Sequence, residues 1–67
     1  MNISINGNAK VFDVAEMTVE SLVIALNLSG KRLAIERNGE IVPRGQFADI
    51  FLQDGDKLEI VGAVGGG

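Results

Sequence analysis

At the start of the chain Ile3 and Ile5 alternate with Asn2, Ser4 and Asn6, the period-two pattern of a half-buried strand. Asn6-Gly7-Asn8 predicts a tight turn, since Asn and Gly both tolerate positive φ. Residues 9–14 read as the return strand, with Phe12 rather than Val11 turned inward, because the larger ring removes more apolar surface from water. The period then changes. Val19, Leu22, Val23 and Leu26 follow the i, i+3, i+4, i+7 spacing of a helix with one buried stripe. Thr18 is placed as its N-cap and Glu20 sits favourably in the first turn, although Ser21 stands where a full capping box has Glu or Gln. With the stop signal of 27–30, the helix is expected over 18–28.

Beyond the helix, Leu33 and Ile35 share one face of a third strand that ends at Arg37. Asn38-Gly39 is a strong hairpin signal, and Glu40 to Val42 forms the short return strand that Pro43 terminates. Residues 44–52 have no regular period and are anchored by Phe47, Ile50 and Leu52. After the Asp54-Gly55-Asp56 turn, Leu58 and Ile60 alternate with Lys57, Glu59 and Val61 in a last strand. This order predicts an α+β domain over residues 1–61, a mixed sheet of four to five strands with one main helix on one face. A glycine-rich tail occupies 62–67. Val11, Ala34 and Val61 fall on the sheet face away from the helix. Exposed together they would form an apolar docking patch, with Val64 of the tail as a further candidate contact.

Composition narrows the chemistry. The 67 residues are 46% hydrophobic, enough for one folded domain, and contain no Cys, His, Tyr or Trp. That removes a histidine base, a thiol nucleophile, a disulfide framework and a Cys/His zinc site. The acids of Asp54-Gly55-Asp56 lack the further spaced ligands of a calcium loop, so the turn reading stands and no metal is expected. A net charge of -3 disfavours nucleic acid and anionic membranes, and suits a partner with a basic docking surface. No apolar run approaches the length of a membrane span, and Met1 to Ser4 lacks the layout of a signal peptide, so a cytoplasmic location is expected.

The tail is the feature left to carry function. Gly65-Gly66-Gly67 has no side chains to pack, and such an end is equally a frayed terminus without a role. The functional alternative is a mobile thread. Glycines have no Cβ, three extended residues reach about 10 Å, and the carboxylate of Gly67 could be delivered into a remote active site.

Ile3-x-Ile5-Asn6-Gly7, the helix from Thr18 to Leu26, the run from Ala34 to Arg44, Gln53-Asp54-Gly55-Asp56-x-Leu58-Glu59-Ile60 and the terminal Gly66-Gly67 together resemble the ThiS family of thiamine-biosynthesis sulfur carriers. The resemblance spans essentially the whole chain. It implies a ubiquitin-like β-grasp fold and a protein that is a substrate rather than an enzyme. It implies that a ThiF-type enzyme uses ATP and magnesium to adenylate the carboxylate of Gly67. Sulfur from cysteine, commonly through a cysteine desulfurase, then yields a C-terminal thiocarboxylate (1-thioglycine), and a ThiG-type thiazole synthase accepts the sulfur. Gly65 and Gly66 would thread the partner's site. No phosphate loop is present, so the partner must bind the ATP. Competing readings are the small subunit of molybdopterin synthase, which shares the fold and the Gly-Gly end, and a ubiquitin-like modifier or non-covalent binding module.

Overall fold

The structure, a computed structural model, describes residues 1–62. Asn2–Ile5 (β1) and Asn8–Val11 (β2) form an antiparallel pair joined at Asn6-Gly7. Leu33–Arg37 (β3) and Glu40–Ile41 (β4) form another, joined at Asn38-Gly39. Both turns have positive φ at both central residues, 51° and 83° in the first, 52° and 87° in the second. That is the type I′ geometry whose twist matches paired strands, and it explains why Asn-Gly occupies both. Lys57–Gly62 (β5) runs between the pairs, parallel to β1 and antiparallel to β3. The result is one mixed sheet of order β2-β1-β5-β3-β4, five strands as the upper expectation held.

The helix, Val19–Ala25 (α1), is shorter than its hydrophobic stripe suggests. Asn27 takes φ +61° and ends it. Its N–H donates to the Ile24 carbonyl at 2.9 Å, and the Leu28 N–H reaches back to the Val23 carbonyl at 2.9 Å. This pair of bonds is the Schellman arrangement, with Asn in the place more often held by Gly. Leu26 and Leu28 therefore pack on the core from outside the helix. The return strand β2 likewise stops at Val11 rather than reaching residue 14, and Phe12 turns inward against the core as expected.

A helix of seven residues is marginal alone and draws its stability from tertiary contacts. The segment read as irregular supplies them. It contains a 3-10 turn at Arg44–Gln46, and its carbonyls take up helix donors: Val19 N–H to Ile50 at 3.0 Å and Glu20 N–H to Phe47 at 2.9 Å. Thr18 Oγ1 accepts from the Ser21 N–H at 3.0 Å, confirming its place as N-cap. Thr18→Ala should then lower stability by about 1 kcal/mol. A urea melt with an unchanged midpoint would show that the Ile50 and Phe47 carbonyls suffice.

Val19, Leu22 and Val23 of α1 meet Ile3 and Ile5 of β1, Ile35 of β3, and Leu58 and Ile60 of β5 in one buried cluster, closed by Met17, Val42 and Leu52. Leu22, Val19, Ile35 and Leu58 are the most deeply buried. One face of the sheet is thus covered by the helix. The other carries the alternate residues and is open.

Candidate functional site

The central strand is the element on which any function of the tail must rest, because β5 leads directly into it. Ala63, Val64, Gly65, Gly66 and Gly67 lie outside the described residues, so the candidate sites on the tail and the Val64 contact carry no geometry here. Neither does the expected boundary between a domain over 1–61 and a tail over 62–67, although Gly62 is the last residue of β5.

The start of β5 is fixed by an ionic network. Asp56 is nearly fully buried. Its Oδ2 accepts from Arg37 Nε at 2.8 Å and from the Gln53 N–H at 2.8 Å, and its Oδ1 accepts from Asn38 Nδ2 at 3.0 Å. Burial alone would push this carboxyl up. The bonds from Arg37, Asn38 and Gln53, together with the charge of Arg37, outweigh it and hold the group below its ordinary value of 3.8. The Lys57 N–H donates to Asn38 Oδ1 at 2.9 Å. The neighbouring Asp54 takes the Asn2 N–H at 2.7 Å, and the Gly55 N–H returns to the Asn2 carbonyl at 2.7 Å. Both acids of Asp54-Gly55-Asp56 are therefore structural, as the turn reading required. Among the described residues no group of three or more potential metal ligands exists.

On the open face, Ala34 lies directly opposite Val61 across β3 and β5, and both are exposed. Ile41, on the same face beside Glu36, extends this apolar area. Sequence alternation missed it because β4 was too short to show a period. Glu36 and Glu59 face each other next to the pair. Val11 is also exposed on this face, opposite Asn2, but the register separates it from the others. Ser4 is level with Lys57, so Val11 sits about six residues, or roughly 20 Å, from Val61 along the strands. The expected single patch of Val11, Ala34 and Val61 is thus corrected to a pair, Ala34 and Val61, joined by Ile41, with Val11 apart at the β2 edge.

At the Ile60 end of β5, a groove of about 650 Å³ opens between the helix exit and the sheet, with Asn6, Leu28, Lys31, Arg32, Ile60 and Gly62 on its walls. Its lining comes from three separate stretches of the chain, so no local pattern in the sequence marks it.

A five-stranded mixed sheet in the order 2-1-5-3-4, with a single α-helix across one face and the C-terminal strand at its centre, is the β-grasp of ubiquitin-like proteins. The ThiS family model matches residues 3–67, and the chain belongs to the ThiS family. It is 32% identical to the sulfur carrier protein ThiS of Bacillus subtilis, over 97% of this chain and 98% of that one. It superposes on the crystal structure of the thiamine biosynthesis protein ThiS from Geobacter metallireducens with a TM-score of 0.87 at 32% identity, with both chains covered completely. It is also 48% identical, over its full length, to a thiazole synthase of Paramagnetospirillum magneticum. There, and in a thiazole synthase of Magnetococcus marinus at 36% identity, it spans about a fifth of the relative's length. No helix of the described residues is long and apolar enough to cross a membrane.

Proposed function

We propose that this chain is a sulfur carrier for formation of the thiazole ring of thiamine, and that the group it carries is the main-chain carboxyl of Gly67. The observation that carries the reading is whole-length similarity to sulfur carriers in both sequence and structure. The thiazole synthases point to the sulfur acceptor, since each contains a region like this entire chain. A ThiG-type synthase is therefore the proposed consumer. A ThiF-type adenylating enzyme and a cysteine desulfurase are the proposed suppliers of activation and sulfur.

The chemistry needs little from the carrier. A carboxylate resists nucleophilic attack. When its oxygen displaces pyrophosphate from ATP, the acyl-adenylate that forms has AMP as a good leaving group, and a sulfur nucleophile can replace it. All of this occurs at a main-chain carboxyl, so an inventory without Cys or His is sufficient. The carrier's tasks are to be recognised and to present its end. ATP, magnesium and the catalytic side chains belong to the partner. ATP–pyrophosphate exchange by a ThiF-type enzyme tests this step. Exchange should depend on added carrier, and carrier-independent exchange or none at all would contradict the proposal.

Ala34, Val61 and Ile41, with the facing Glu36 and Glu59, form the proposed docking surface for a partner with an apolar and basic face. Like charges directly opposite each other on a sheet cost stability, roughly 0.2–1 kcal/mol. Glu36→Lys should therefore raise the melting temperature slightly while lowering kcat/KM for activation by roughly tenfold at low salt. A variant that is both more stable and equally well activated would remove this face from the recognition surface.

A further inference from the structure

Both asparagines of the type I′ turns do more than adopt positive φ. Each aims its carboxamide at β5. Asn38 holds the start of that strand through the Lys57 N–H, as described above. Asn6 holds the other end: its Oδ1 accepts from the Ile60 N–H at 2.8 Å and its Nδ2 donates to the Ile60 carbonyl at 3.0 Å.

The parallel ladder explains what these two bonds replace. The Ser4 N–H donates to the Asp56 carbonyl and the Asn6 N–H to the Leu58 carbonyl. The next rung would join Ile60 to backbone groups of residues 6 and 8. At Asn6 and Gly7, however, the chain turns away into β2. A type I′ turn accounts for Asn at this position but not for where its side chain points. The carboxamide, with one acceptor and donors on one planar group, stands in for a peptide and adds a rung where the backbone has left. Both backbone groups of Ile60 are thereby held on its β1 side, only two residues before Gly62, while Ile35 of β3 lies level with it on the other side.

We propose that Asn6 is a positioning residue, whose carboxamide fixes the Ile60 end of β5 and so the line along which the segment after Gly62 is offered to the activating enzyme. The proposal rests on the sulfur-carrier reading and deepens it. Six residues lie between Ile60 and Gly67, a contour of at most roughly 25 Å, and the point and direction from which that segment starts are set at its root. A root fixed before docking spares the partner the entropy of ordering it, which lowers the cost of binding without altering the chemical step.

Asn6→Gly is the informative variant, because Gly accepts φ +51° without strain and only the carboxamide is lost. Asn38→Gly is its control, removing a comparable carboxamide from the opposite end of the same strand. Both are assayed well below their melting temperatures. In Asn6→Gly, amide exchange at Ile60 should accelerate by tenfold or more (on the order of one lost hydrogen bond), with Ile35 unchanged. KM for the carrier in activation should rise roughly tenfold, about the cost of ordering one backbone residue, with kcat preserved. Asn38→Gly should leave KM unchanged. Equal KM for Asn6→Gly and the parent chain, or an equal rise in Asn38→Gly, overturns the assignment, as does unaltered exchange at Ile60. A parent chain that is never activated overturns the sulfur-carrier reading instead, and the exchange measurement, which needs no partner, still decides whether the clamp exists.

Discussion

Asp56→Ala is expected to remove about 3 kcal/mol of stability, because it strands the Arg37 guanidinium and two further donors that now converge on one buried carboxylate. A domain of this length holds on the order of 3–10 kcal/mol in total, so the variant loses a third or more of its stability, and at the low end of that range fails to fold. Asp56→Asn keeps the shape and one acceptor oxygen, and should cost less. Arg37→Met leaves Asp56 its bonds from Asn38 and Gln53 and should cost about 1–2 kcal/mol, since Arg37 is itself partly exposed. Urea melts of the three variants give the order. Equal midpoints for Asp56→Ala and the parent would show that the network is incidental.

The same network sets a pH dependence with a definite sign. The folded state holds Asp56 below its ordinary value of 3.8, so the unfolded chain binds its proton more readily. The contribution of Asp56 is therefore complete above the ordinary carboxylate range and is lost as pH falls through the folded value. Asp56→Asn should reduce the loss of stability on acidification, with little change in slope near neutrality. A parent and variant that lose stability in parallel below pH 4 would contradict this.

The second large effect is at the tail. Gly66→Val should leave the urea midpoint unchanged, since the core among the described residues lies entirely between Ile3 and Ile60. Under the proposed threading, activation should nonetheless fall by about a hundredfold or more, because a β-branched side chain would not pass a channel shaped for bare backbone, and misplacement by an ångström suffices for such a loss. Normal adenylation of this variant would mean that the partner does not enclose the tail.

How much of this was legible in the sequence depended on whether the physics was local. The two Asn-Gly turns were, because positive φ is a demand that only a few residue types meet. So were Thr18 as a cap and the inward faces of β1, β3 and β5, since alternation assigns faces directly. The apolar stripe runs on through Leu26 and so points to a longer helix, while what ends the helix is the backbone conformation of Asn27. The capping carbonyls of Phe47 and Ile50 are main-chain groups that no residue type announces. The role of Asp56 depends on partners 18 and 19 residues away. Alternation also put Val11 on the correct face, but it carries no information about position along the sheet. That came from the β1–β5 register, which divided the expected patch.

The same distinction applies to function. The ordered set of local features across the whole chain was enough to indicate the family, and similarity to sulfur carriers over full length places the chain there. Asn6, Asn38 and Asp56, which secure the two ends of β5, emerged only from three-dimensional contacts.

The proposed sulfur-bearing group is the main-chain carboxyl of Gly67. Intact-mass spectrometry of the chain after incubation with a ThiF-type enzyme, ATP, magnesium and a cysteine-derived sulfur source tests it most directly. The expected result is a single product heavier by the difference between one sulfur and one oxygen, with fragmentation placing the change on Gly67 and no product from a chain lacking that residue. An unmodified mass with partners proven competent on another carrier, or the same mass change in the chain without Gly67, would contradict it.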